Sequence, residues 1–118
     1  MELADRQCVP CRGGVPPMGS EDAEALLAKL GGGWTLNAAG HLERAYPFGN
    51  FVAAMDFANR VTEIAEEQDH HPDLYVRWGQ CTVEIWTHKI SGLTESDFYF
   101  AAKVNRAWTQ SLEEQTTG

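Results

Sequence analysis

The feature that most restricts this chain is a stretch beginning at Phe51 whose residue pattern fits a long amphipathic helix. Phe51, Ala54, Met55, Ala58, Val61, Thr62 and Ala65 recur at helical spacing, while Asp56, Asn59, Arg60, Glu63 and Glu67 fall on the other side. Asn50 stands where a side chain can cap the first turn. Pro72 closes the far end, because the residue before a proline prefers extended backbone. The spacing predicts a helix of roughly five turns, with His70 and His71 at or just past its end.

Short segments on either side read as hairpins. Residues 34–37 and 42–48 form two expected strands joined through Ala38-Ala39-Gly40, and residues 73–78 and 81–88 two more around Gly79-Gln80. In the last of these, Cys81, Val83, Ile85 and Thr87 share one face, and Thr82, Glu84, Trp86 and His88 the other. Ser20 can cap a first helix, with Glu21 and Asp22 suiting its dipole and Ala23, Leu26, Leu27 and Leu30 as its stripe. Gly31-Gly32-Gly33 stops that helix. Thr94 and Asp97 resemble a capping box that opens a last helix bearing Phe98, Ala101, Ala102, Val104, Asn105 and Trp108. The order α-β-β-α-β-β-α predicts an α+β fold, a four-stranded antiparallel sheet with three helices on one face. One domain is expected over residues 20–110, between a flexible Gly/Pro-rich leader (1–19) and a polar tail (111–118).

Composition narrows the function classes. With 118 residues, 43% hydrophobic and 22% charged, the chain reads as one soluble globular domain. Its net charge of −8, with no basic cluster to offset it, excludes nucleic acid as an expected partner. No apolar run approaches the roughly 20 residues of a membrane span, and no secretory pattern is visible, so a cytoplasmic location is expected. Cys8-Val9-Pro10-Cys11 has the spacing of half a zinc ribbon or of a redox dithiol. No second Cys pair follows, so reduced thiols in the leader are expected, with zinc shared between subunits or an adventitious disulfide as alternatives.

Three of the four histidines fall between positions 70 and 88. Two adjacent histidines at a helix end cannot both enter the core, so one faces out or lines a cleft. In an antiparallel hairpin the start of one strand lies beside the end of its partner, which returns His88 to the neighbourhood of His70 and His71. Imidazoles donate and accept protons near neutrality, so this trio could supply a general acid and a general base. The alternatives are a three-histidine zinc site, whose usual spacing is absent, and solvated histidines favoured by the helix dipole. Glu66 and Asp69 flank the pair and could fix an imidazole tautomer, or be ordinary solvated acids. Trp78 and Trp86 could stack on a flat ring or simply pack. His41 has no expected role.

The segments Asp69-His70-His71-Pro72, Thr87-His88 and Ser91-Gly92-Leu93-Thr94-Glu95-Ser96-Asp97 together resemble the signature of the pterin-4a-carbinolamine dehydratases. The likeness extends over residues 26–108, and the leader with Cys8, Pro10, Cys11 and Gly13-Gly14 is similar to that of bacterial members. The resemblance implies a hydro-lyase that removes water from 4a-hydroxytetrahydropterin to give quinonoid dihydropterin. That activity would support tetrahydrobiopterin recycling after aromatic amino acid hydroxylation, in functional linkage with a hydroxylase. It implies no metal or cofactor, and assembly as homodimers or homotetramers. His70 and His88 would be the acid–base pair, with His71 binding and orienting the pterin, and Glu66, Asp69, Pro72 and Trp78 as further substrate-binding candidates. One departure is Leu74, where the family often carries Trp; Tyr75 or Trp78 would then have to compensate. A non-catalytic binding or regulatory protein of the same fold is the alternative.

Overall fold

The computed structural model describes residues 2–9 and 16–117. The elements follow the expected order: α1 (Ser20–Leu30), β1 (Thr35–Leu36), β2 (Leu42–Pro47), α2 (Phe51–Gln68), β3 (Asp73–Arg77), β4 (Gln80–Ile85) and α3 (Glu95–Thr117). All strand pairs are antiparallel, in the sheet order β1-β2-β4-β3. Helix α2 carries the chain past the middle of the sheet, and the tight β3–β4 hairpin then returns β4 to pair with β2. β4 is therefore central, flanked on both sides.

One face of the sheet presents Leu42, Tyr46, Cys81, Val83 and Ile85, all fully buried, to α2 and α3. α1 packs beside α3. The arc of α2 that is buried is Ala54, Phe57, Ala58, Val61, Ala65 and Gln68. This is rotated from the expected stripe: Phe51, Met55 and Thr62 are exposed, and Phe57 takes the central place because its ring meets Tyr46, Phe48 and Trp108. Asn50 caps α2 as expected, its Oδ1 accepting from Ala53 N–H at 2.8 Å. Ser20 does not cap α1; it is the first helical residue and Gly19 occupies the cap. The glycine run ends α1 because Gly31, Gly32 and Gly33 all take positive φ, where a Cβ is costly. Helix α3 continues to Thr117, past the expected start of a polar tail, through Leu, Glu and Gln residues of good helix propensity.

Residues 2–9 of the leader lie across the end of α2 and the start of α3. Cys8 N–H donates to Gln68 Oε1 (3.0 Å), Val9 N–H to Ser96 Oγ (2.8 Å), and Lys103 Nζ to Ala4 O (2.7 Å). Burial pushes the Cys8 thiol up to about 11, with Lys103 pulling the other way, so at neutral pH it is a protonated, weakly nucleophilic group. Pro10 and Cys11 lie outside the described residues.

A second hub ties the helices to the sheet. Asn105 Oδ1 accepts from Trp34 Nε1 (2.7 Å), Arg44 Nη1 (2.8 Å) and Tyr46 Oη (2.8 Å), and the Arg44 guanidinium sits 4.3 Å from the Tyr46 ring centroid. Replacing Asn105 with leucine keeps the bulk and strips the acceptor from three donors. Unpaired buried donors cost about 1–3 kcal/mol each, and Arg44 can turn toward water, so Asn105→Leu is expected to lose about 3 kcal/mol. Urea unfolding checks this: the midpoint should fall with an unchanged slope.

Candidate active site

The end of α2 builds the first part of the site. Asp69 adopts the left-handed conformation (φ 50°), which aspartate tolerates better than most residues. This reversal lets His70 N–H donate back to Ala65 O at 3.1 Å and swings the His70 side chain toward α3 rather than along the helix. There Nε2 meets Asp97 Oδ1 at 2.6 Å. His71 points the other way, into solvent, with Nε2 2.6 Å from Glu66 Oε2.

Asp97 was expected only as a helix-capping residue. It does cap, accepting from Thr94 N–H through Oδ2 at 2.8 Å. Its side chain is also fully buried and takes a further bond from Thr87 Oγ1 at 2.8 Å, also on Oδ2. Thr94 Oγ1 lies 3.1 Å from Thr87 Oγ1; since the Thr87 hydroxyl proton is used on Asp97, Thr94 is the donor there. All contacts to Asp97 are ones a carboxylate accepts. With the carboxylate accepting, His70 Nε2 carries the proton and Nδ1 is left as the ring's acceptor nitrogen.

His88 reaches the site by a route that differs from the expected one. Strand β4 stops at Ile85 rather than running to position 88, because β2 ends opposite Ile85 at Leu42 and β3 opposite Glu84 at Asp73. Without partners, the chain closes on itself. Thr87 N–H donates to Gly92 O (2.8 Å), His88–Ile90 form a single 3-10 turn, and Ser91 takes a positive φ of 51°. The loop is pinned from behind by Met18 N–H on Leu93 O (2.8 Å) and by Pro17, which fills the space a Cβ on Gly92 would need. Strand direction still delivers His88 to the correct edge.

Asp69, His70, His71, Trp86, Thr87, His88 and Lys89 line one open pocket of about 260 Å³. The three histidines and Asp69 are thus brought together. Glu66 touches the site through His71, and Pro72 shapes the backbone after it without lining the pocket. Trp78 is 72% exposed at the tip of the β3–β4 hairpin, at the far end of β3 from His71, and stands outside the pocket. Leu74 packs against the core, and Tyr75 lies on the open sheet face with Oη donating to Glu84 Oε1 (2.8 Å). The aromatic residue in the pocket is therefore Trp86. His41, for which no role was expected, stacks on Trp86 and bonds Glu84. Burial pushes the Glu84 carboxyl up, but hydrogen bonds from His41, Asn37 and Tyr75 outweigh it and hold it below the usual carboxylate range. No cluster of His, Cys, Asp and Glu with metal-binding geometry occurs among the described residues.

Asp97 and His41 are two residues that sequence reasoning missed, and Lys89, which lines the pocket, is a third. The Thr94–Asp97 spacing was visible, but it reads identically for a cap that faces solvent and one that faces a histidine. His41 had one available signal: it precedes a strand that could pair with the one carrying Trp86.

Residues 16–107 match the family model described as "Pterin 4 alpha carbinolamine dehydratase". A protein of Rickettsia canadensis (strain McKiel) is 54% identical over 102 residues, covering 86% of this chain and 94% of its own. One of Rubrobacter xylanophilus is 55% identical over 105 residues, covering 89% and 97%. Both carry the name "Putative pterin-4-alpha-carbinolamine dehydratase". A crystal structure from Brucella melitensis, titled a transcriptional coactivator/pterin dehydratase, superposes with a TM-score of 0.71 at 27% identity, over 77% of this chain and 97% of that one. The sequence signature, the fold and these matches agree: the chain belongs to the pterin-4a-carbinolamine dehydratase family.

Proposed function

We propose that the protein dehydrates 4a-hydroxytetrahydropterin at the three-histidine pocket. The observation that carries this reading is that His70, His71 and His88 line one cavity while a buried carboxylate fixes the tautomer of His70. In the reaction the 4a-hydroxyl gains a proton, the C4a–O bond breaks and water leaves. N5 gives up its proton, and its electron pair forms the C4a=N5 bond of the quinonoid product. One imidazole acts as the acid and another as the base. His70 and His88 take those parts, since His71 is turned outward to Glu66 and suits binding and orientation. Asp69 borders the substrate; Glu66 and Pro72 hold His71 and the backbone around it. Trp78 would have to act from outside this pocket.

The same reading gives the protein a place in tetrahydrobiopterin recycling beside an aromatic amino acid hydroxylase, in the cytoplasm. No helix among the described residues is long and apolar enough to cross a membrane. Assembly into dimers or tetramers belongs to this reading as well, and the exposed Phe51, Val52 and Met55 on α2 favour it. The test is direct: purified protein added to freshly generated 4a-hydroxytetrahydropterin should accelerate the appearance of quinonoid dihydropterin absorbance. A rate equal to the buffer blank would sink the proposal and leave a binding protein of this fold.

A further inference from the structure

We infer that His41 is a positioning residue for His88, acting through the Trp86 ring. This rests on the dehydratase reading and extends it to a residue outside the pocket. The register of β2 and β4, with Leu42 opposite Ile85, carries His41 and Trp86 to neighbouring positions at the same end of the sheet. Their rings stack at 4.0 Å between centroids and 4° between planes. His88 stacks on the same indole at 4.2 Å and 30°. Two rings that close to one centroid cannot share a face, so Trp86 lies between them. Both of its faces are occupied, which leaves an edge toward the pocket.

Each layer of this stack is held differently. His88 is exposed and its imidazole has no hydrogen-bond partner among the described residues, so the indole is what orients it. Trp86 in turn is backed by His41. His41 is the anchored layer: its Nδ1 lies 2.7 Å from Glu84 Oε2, and its backbone N–H donates to Asn37 Oδ1 at 3.0 Å. Glu84 is fixed by Asn37 Nδ2 (2.8 Å) and Tyr75 Oη (2.8 Å).

The setting of Glu84 is costly without that network. Glu84 stands between Glu43 and Asp73 in the strand register, and like charges directly opposite destabilise a sheet. Donors from His41, Asn37 and Tyr75 offset this, and together they tie the His41 ring to the centre of the open sheet face. A rigid anchor on one side of the indole and a hydrogen-bond-free imidazole on the other is an arrangement suited to aiming the second ring.

Two readouts test the inference: the proton chemical shifts of the His88 ring, which the Trp86 ring current moves upfield, and the kinetics of dehydration. His41→Ala is expected to relax that upfield shift and to lower kcat by about fivefold, the worth of one aromatic contact. KM should stay within about twofold, because substrate contacts are untouched. His41→Phe keeps a ring on the indole without the Glu84 bond and should recover only part of both values. Unchanged His88 shifts in His41→Ala, or an unchanged kcat, would overturn the inference. Wild-type protein without turnover would instead sink the dehydratase reading, and the shifts alone would then support or overturn the ring placement.

Discussion

Asp97→Asn is expected to lower the dehydration rate by up to about 10⁴-fold, the drop seen when the carboxylate orienting a catalytic imidazole is neutralised. Asparagine matches aspartate in size, so the site around it need not collapse. Its amide, however, cannot serve both sides. If the amide oxygen faces His70, the NH₂ group is turned toward Thr94 N–H, two donors meet, and a helix cap is lost. If the NH₂ group faces His70, Nε2 must accept, the ring proton moves to Nδ1, and the nitrogen facing the reaction has the wrong character. The first arrangement costs about 1–3 kcal/mol of stability; the second costs catalysis. Initial rates and a thermal melt on the same sample separate them. Wild-type rate together with a lowered melting temperature would show that the His70–Asp97 contact is only structural.

His88→Ala is expected to lower kcat by about 10²–10⁴-fold, the usual contribution of one positioned proton-transfer group, with little change in melting temperature. The contrast follows from the geometry. The His88 imidazole is exposed, and its sole described partner is the Trp86 ring, so the fold gains little from it. His71→Ala should cost far less, because that imidazole is turned outward onto Glu66. A loss on His71→Ala equal to that on His88→Ala would reverse the proposed division between proton transfer and orientation.

The structural link between these two experiments is the loop from Thr87 to Gly92. It carries His88 at one end and, through the Thr87 hydroxyl, supports Asp97 at the other. Leader residues Pro17 and Met18 pin its back. The acid–base pair of the proposed reaction is therefore mounted on two rigid pieces, the end of α2 and this closed loop, which meet at the start of α3. Such mounting suits proton transfers that require fixed distances.

What the sequence by itself determined was most of what rests on neighbours along the chain, the Ser20 cap excepted. The helical spacing from Phe51, the cap at Asn50 and the stop before Pro72 all act within a turn or two, and the structure follows them. The alternation from Cys81 to Thr87 predicted which side chains face the core, even where the strand itself ended early. The approach of His88 to the His70-His71 pair was legible too, since a tight hairpin fixes its ends. The rotation of the buried stripe on α2 toward Phe57 was not, because it depends on which ring sits opposite, and Tyr46 comes from a different strand. The role of Asp97 was hidden for the same reason: its cap is local, but its bond to His70 spans 27 residues and exists only once α3 lies against the end of α2. The His41–Trp86–His88 stack likewise required β4 to insert between β2 and β3. Local periodicity dictates the elements; which arc of a helix is buried and which side chains meet across elements are set by packing, and only the tertiary structure decided that.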